Sequence, residues 1–269
     1  MKTFIFSSVM FFMAAATVLI GQNKIGCQAW SFNAYTLEET LEKMESLDIK
    51  YLEMYPKQRM SPSDSSFTTF KMPKDQIVKL KSMLKKHHVK VISYGVISLR
   101  KRSDWVQLFE FAKEMGIKTI VTEPDQNQIP VIDELCQKYK IYAAIHNHAK
   151  PKRHWWNPAN VKDGILNRSK YLGVCADVGH WKRSDLDIIS SLKLLEGKIF
   201  ELHVKDVDIP TLNAKWVPMG EGIIPWSDVF QELKKQNFKG NYIIEHVAKK
   251  DVIMDDMRVN LELIKANLK

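Results

Sequence analysis

From residue 24 onward the chain alternates between two rhythms of apolar residues. Short apolar runs have strand-like composition: "KIGCQAW" (24–30), "KYLEMY" (50–55), "VKVISYG" (89–95), "IKTIVTE" (117–123), "KIYAAIHNH" (140–148), "KYLGVCAD" (170–177), "KIFELHVKD" (198–206) and "GNYIIEH" (240–246). Between them apolar residues recur every three or four positions, the period of a helix packed on one face. Leu37, Leu41, Met44 and Leu47 mark such a face over 36–47. Further helices are predicted over 73–87 with Pro73 in the first turn, over 103–116 with Ser103 as cap and Gly116 as stop, and over 129–139. The remaining ones fall near 158–168 and over 184–197, 225–238 and 251–268.

This pattern is eight strand–helix units. Strands that alternate with helices of this length imply a parallel sheet, and eight units can close into a (β/α)8 TIM barrel of the α/β class. A doubly wound open sheet is the alternative, but no glycine-rich dinucleotide fingerprint follows the first strand. No linker or low-complexity segment interrupts 22–269, which reads as one domain.

The first 21 residues, "MKTFIFSSVMFFMAAATVLIG", follow another logic. Lys2, a long apolar stretch and small residues at its end make a secretory signal peptide. The mature chain is expected to begin near Gln22, exported to the periplasm or secreted, with no membrane segment after cleavage. The three cysteines, Cys27, Cys136 and Cys175, have no metal-binding spacing and are read as buried thiols. The formal charge is +9, with lysines scattered through the helices and not gathered in one block. That suits a solvated basic surface better than a nucleic-acid footprint, and no nucleic-acid partner is expected.

The chemistry sits at the strand ends. In a parallel barrel the C-terminal ends of the strands face the active site. Those ends carry Glu53, Glu123, His146 and His148, Asp177 with His180, His203 with Lys205 and Asp206, and Glu245 with His246. A lone polar group there is as often structural as functional. Six strands ending this way converge several carboxylates on one mouth, where repulsion and desolvation oppose them unless a cation intervenes. One divalent metal ion resolves the conflict. Mixed nitrogen and oxygen ligands suit Mn, Co, Zn, Fe or Mg, with the nitrogens making Mg the weakest choice.

The stretches "GCQAWSF", "IHNH", "CADVGHW", "ELHVKD", "MGEGIIPW" and "YIIEH" resemble the sugar phosphate isomerase/epimerase family, with its xylose-isomerase-like TIM barrel. The resemblance covers essentially the whole mature chain. It implies that Asp177, His203 and Glu245 are metal ligands and that His180 touches the substrate. Glu221 in "GEG", with Trp226, matches the loop before the last helix. In the ketose 3-epimerases of that family a glutamate follows strand five, and it shares proton transfer with the strand-eight glutamate. Here that position is His146, which puts two-carboxylate epimerisation in doubt.

His146 is then a further metal ligand, with Glu123 as the replacement carboxylate. His148 lies two positions on and turns to the same side, so it is the candidate base, alongside Glu245 and His180. Glu53, Trp156, His180, Lys205 and Glu221 are the candidate substrate contacts; Trp156, with Trp155, is read equally as a sugar platform or as rim packing. The function expected is a metal-dependent isomerase or epimerase that moves a proton next to the carbonyl of a sugar or keto-sugar. A 3-keto-glycoside lyase or hydratase is the second reading, and a non-catalytic secreted carbohydrate-binding protein the third. A relative cutting DNA at abasic sites is disfavoured by the leader and the smaller ligand set. Product stereochemistry, substrate phosphorylation and self-association into a homo-oligomer stay open.

Overall fold

The computed structural model describes residues 23–151 and 154–268. The leader of residues 1–21 lies outside them. Eight strands form a closed parallel barrel: β1 (Ile25–Gln28), β2 (Tyr51–Met54), β3 (Lys90–Ile97), β4 (Thr119–Thr122), β5 (Tyr142–His146), β6 (Leu172–Asp177), β7 (Ile199–Val204) and β8 (Asn241–Ile244). Each strand pairs with its neighbour in sequence, and β1 closes the ring on β8 through Ile25 opposite Tyr242. The open-sheet alternative is thereby excluded. No helix among the described residues is long and apolar enough to cross a membrane.

The helices that cover the barrel are α1 (Leu37–Ser46), α2 (Lys74–Lys86), α3 (Arg102–Met115), α4 (Ile129–Tyr139), α5 (Pro158–Ile165), α6 (Val178–Arg183), α7 (Ile188–Leu194), α8 (Trp226–Lys235) and α9 (Ile253–Asn267). Their apolar stripes pack on the outer faces of the strands. Leu37, Leu41 and Met44 of α1 are fully buried, and the helix starts with a reciprocal Thr36–Glu39 capping box. Gly116 ends α3 in the left-handed conformation at φ 72°, as expected. Ser103, expected as its cap, lies inside the helix; Lys101 precedes it without a side-chain cap bond.

The helix expected over 184–197 is the shorter α7, and a second helix with no sequence forecast precedes it. Asp177 caps the short α6, which follows β6 without a loop, so His180 is helical. Asp185 then turns the chain at φ 59°, and Asp187 caps α7 by accepting from the Ser190 amide at 2.7 Å. A hairpin with no sequence forecast follows β7: Asp206–Val207 pairs antiparallel with Trp216–Val217.

Inside the barrel the residues are unusually polar. Val121, Ala144 and Cys175 form a small apolar plug with Val96 and Phe200 against it. Toward the mouth, Gln28, Glu53, Glu123, His146, Asp177 and His203 are all buried. Below His203, the carboxyl of Glu201 is buried with it. The three cysteines are free and buried.

Candidate metal centre

Register brings the strand ends together. His146 of β5 pairs with Cys175, and Asp177 of β6 sits opposite His203 of β7. Side chains alternate along each strand, so His146, Asp177 and His203 all point inward. Ligand atoms of His146, Asp177, His203 and Glu245 lie within 4.8 Å of one another. His146 Nε2 is 3.6 Å from Asp177 Oδ2, and His203 Nδ1 is 3.9 Å from the same oxygen and 2.9 Å from Glu245 Oε2.

Three of these atoms, His146 Nε2, Asp177 Oδ2 and His203 Nδ1, are buried without a well-directed hydrogen bond among the described residues, although Asp177 Oδ2 faces Lys205 Nζ at 3.1 Å and His203 Nδ1 faces Glu245 Oε2 at 2.9 Å. Buried polar atoms are rarely left so. Two imidazole nitrogens and two carboxylates aimed at one spot fit a divalent transition ion.

The opposite edge of each imidazole is held. Glu123 Oε1 accepts from His146 Nδ1 at 2.8 Å, and Glu53 Oε2 accepts from His203 Nε2 at 2.7 Å. Gln28 Nε2 fixes Glu53 in turn, donating to its Oε1 at 3.1 Å and to the Gly95 carbonyl at 3.0 Å. Carboxylates behind ligating histidines select the tautomer and the ring angle. One expectation is corrected here. Glu53 is not a substrate contact: it is fully buried, with His203 and Gln28 as its partners. Glu123 lies outside the four-residue cluster and forms a second potential metal-holding group with His146 and His148, with its Oε1 accepting from both.

Asn147, not singled out from the sequence, fixes the backbone between strands. Its Nδ2 donates to the Asp177 carbonyl and its Oδ1 accepts from the Asp177 amide, both at 3.0 Å. Asp177 Oδ1 accepts from the His180 amide at 2.8 Å, which leaves Oδ2 for the cluster. Gly179 lets α6 approach β7: a Cβ there would lie 2.8 Å from the Lys205 carbonyl oxygen.

Lys205 supplies the local positive charge. Its Nζ is 3.1 Å from Asp177 Oδ2 and 2.8 Å from Glu245 Oε1. Burial alone would favour the neutral amine, but the two carboxylates outweigh it and raise the pKa. Burial likewise opposes charge on Glu245, and Lys205 with His203 hold the carboxyl well below the usual carboxylate range. Asp177 is also held low against burial, with Lys205 and His146 among its partners. His146 and His203 are raised, because the facing carboxylates outweigh their desolvation. His148 and His180 are lowered, chiefly by burial.

His148 flanks the cluster, with its Nδ1 against Glu123 and its ring 4.9 Å from that of His146. Its side chain stays partly exposed, on the wall of a cavity of about 550 Å³ that His146 and Glu245 also line. Opposite, His180 Nε2 is 3.8 Å from Asp177 Oδ2, and Trp216 of the hairpin covers both His180 and Lys205, with ring-centre distances of 5.3 Å and 4.6 Å. Trp216 was not anticipated. Asp206 is structural: its carboxylate accepts from the amides of Val207, Gly220 and Ile224 and from Trp226 Nε1, which pins the 218–226 loop. Gly222 makes this approach possible, since a Cβ would fall 2.1 Å from Asp206 Oδ1. Glu221 is exposed on that loop, and Trp156 is half-buried; neither is among the described residues lining the cavity. Trp155 is rim packing, buried with its Nε1 donating to the Pro124 carbonyl at 2.7 Å. His246 pairs with Asp256 at 2.8 Å, turned to α9.

A family model described as xylose isomerase-like TIM barrel matches residues 41–265. Among curated proteins, L-ribulose-5-phosphate 3-epimerase UlaE of Salmonella paratyphi A is 35% identical over 69 residues, 26% of this chain and 24% of that protein. The match thus spans about a quarter of the relative's length. Among solved structures, an uncharacterised protein from Parabacteroides distasonis superimposes with a TM-score of 0.75 at 32% identity, covering 91% of this chain and 98% of that one. A xylose isomerase-like TIM barrel protein from Mycobacterium smegmatis in complex with magnesium gives a TM-score of 0.68 at 12% identity, covering 91% and 98%.

Proposed function

This chain belongs to the xylose isomerase-like TIM-barrel family, and from that premise we propose a metal-dependent enzyme that moves a proton next to the carbonyl of a sugar or keto-sugar. The observation that carries the proposal is the convergence of three buried ligand atoms, His146 Nε2, Asp177 Oδ2 and His203 Nδ1, beside the Glu245 carboxylate. These four residues would hold a divalent ion, and such an ion supplies Lewis-acid polarisation of a carbonyl oxygen. The epimerase kinship of the aligned segment supports a sugar as substrate.

The protein's own groups have distinct tasks in this reading. His148 takes the proton. It is a neutral imidazole on the cavity wall, and Glu123 accepts from its Nδ1, so Nε2 is the basic nitrogen. Glu123 also stabilises the imidazolium that results. His180, neutral beneath Trp216, offers a hydrogen bond to a substrate hydroxyl. Lys205 holds Asp177 and Glu245 in place and balances their charge. Trp216 shields that side from water.

A second reading concerns the reaction type. Glu245 Oε1 meets Lys205 and Oε2 meets His203, so the carboxylate that would serve as a second base is engaged on both oxygens. One free base favours isomerisation or elimination over two-base epimerisation. The test is to incubate the metal-loaded protein in D₂O with ketoses and 3-keto-glycosides. Deuterium incorporated beside the carbonyl is expected, and His148→Ala should abolish most of it. A protein that binds metal yet exchanges no proton on any of these compounds would refute the reading. Export remains part of the proposal, motivated by the leader; N-terminal sequencing from the native cell should start near Gln22, and a product retaining Met1 would refute it.

A further inference from the structure

The space beside the metal cluster is asymmetric. Trp216 closes the side formed by β6 and β7, against Lys205, His180 and Arg183. The cavity of about 550 Å³ opens on the other side, past the ends of β1, β2 and β3. His146, His148 and Glu245 form its inner end. A cavity of this size suits a ligand larger than one sugar ring.

Its outer wall is aromatic. Trp30 and Tyr55 meet edge to face at 5.2 Å, and Trp30 is 45% exposed. Phe70 and Leu99 continue the apolar lining. A second cavity of about 560 Å³ adjoins the first, sharing Tyr55 and Lys57, and leads to Phe67, which is 51% exposed. Two exposed aromatic rings thus lie along one path that starts at the metal cluster.

The backbone of Lys57 adds a second signal. It is left-handed at φ 74°. The other non-glycine residues in that region, Asp48, His88, Lys140, Asn167, Asp185 and Asn237, each follow the end of a helix, where this conformation is routine. Lys57 instead follows β2, and it lines both cavities. Backbone strain of this kind is retained mostly at functional sites.

The wall chemistry discriminates between ligands. A phosphate dianion would be desolvated among Trp30, Tyr55, Phe70 and Leu99, where Lys57 is the one lysine or arginine among the described residues lining this cavity and Arg59 lines only the adjoining one, an unfavourable exchange. A neutral sugar ring offers a C–H face to an aromatic ring and hydroxyls to polar groups at its edge. We infer that the substrate is a glycoside, with its reacting ring at the metal cluster and a second neutral ring on the Trp30–Tyr55 wall. This rests on the reading of the cluster as a sugar site and adds the size and charge of what it takes.

The test uses the full-length mature protein loaded with Mn²⁺, and binding is read by calorimetry and saturation-transfer NMR. The probes are glucose, cellobiose, trehalose, lactose and ribulose 5-phosphate. At least one disaccharide should bind about tenfold more tightly than glucose, as expected for one added stacked ring. Trp30→Ala should remove that gain, so that in the variant the disaccharide binds no more tightly than glucose, and Trp30→Phe, which keeps a stacking face, should restore part of it. The inference is overturned if no disaccharide exceeds glucose, or if the gain survives Trp30→Ala. It is overturned equally if ribulose 5-phosphate binds most tightly and Lys57→Ala removes its advantage, which would make this arm a phosphate pocket. Deuterium exchange on ketoses separates the two levels. Exchange without a disaccharide gain refutes the glycoside inference alone, whereas no exchange and no sugar binding refute both.

Discussion

Replacing Glu123 with alanine should weaken metal binding without touching a ligand. Glu123 is nearly fully buried, and its Oε1 accepts from both His146 and His148. The two losses are unequal. His148 is partly exposed, so water can replace its partner. His146 is 1% exposed, so its Nδ1 would become a buried donor without an acceptor. Leaving such a donor unsatisfied costs about 1–3 kcal/mol. It also frees the ring to rotate its Nε2 away from Asp177 and His203, and removing a carboxylate behind a ligating histidine typically lowers metal affinity ~10–100-fold. The expected result is therefore a drop of that size in Zn²⁺ or Mn²⁺ affinity, measured by chelator competition at fixed pH. Glu123→Gln retains an acceptor and should recover part of the loss. Affinity in Glu123→Ala within about threefold of the parent would refute the argument, because His146 would then be oriented by something else or would not be a ligand.

Two further outcomes follow from the same geometry. His148→Ala should retain stoichiometric metal, since His148 is outside the four-residue cluster, and lose about 10²–10⁴ in turnover; loss of metal with activity would make it a ligand. Glu201 is buried, and burial followed by the nearby Glu53 raises its pKa to about 8. In the unfolded chain it ionises near the ordinary value of ~4.3, so between there and about 8 the folded state holds one more proton and stability falls as pH rises. Glu201→Gln should remove this slope: its melting temperature relative to the parent should climb from pH 5 to pH 8, and a constant difference would show that Glu201 titrates normally.

The barrel was legible because the alternation of periods is dictated by burial on one helical stripe and on both faces of a strand. The ligand set was legible for a related reason. His146 and Asp177 end their strands and His203 lies one residue before the end of its own, and a strand end in a parallel barrel has only one place to point. Roles were harder. Whether a buried carboxylate faces a metal or the back of an imidazole depends on register and tilt around the closed ring, as in Gln28 beside Glu53, and neither is written in local spacing. Glu53 was therefore assigned one layer too close to the substrate. Trp216 was missed because a hairpin of two-residue strands leaves no periodicity. The short α6 was missed because it follows β6 directly from the Asp177 cap, and the later start of α7 was readable in Asp187 as an N-cap inside the expected 184–197 segment.

Metal stoichiometry in the parent and in Asp177→Ala, purified without chelators and dialysed against Mn²⁺ or Zn²⁺, tests the central claim most directly. Asp177 Oδ2 is within 4 Å of both His146 Nε2 and His203 Nδ1, so it is the shared corner of the cluster. Elemental analysis should find one ion per chain in the parent and far less in the variant. A parent without bound metal, or a variant that holds it as tightly as the parent, would contradict the account.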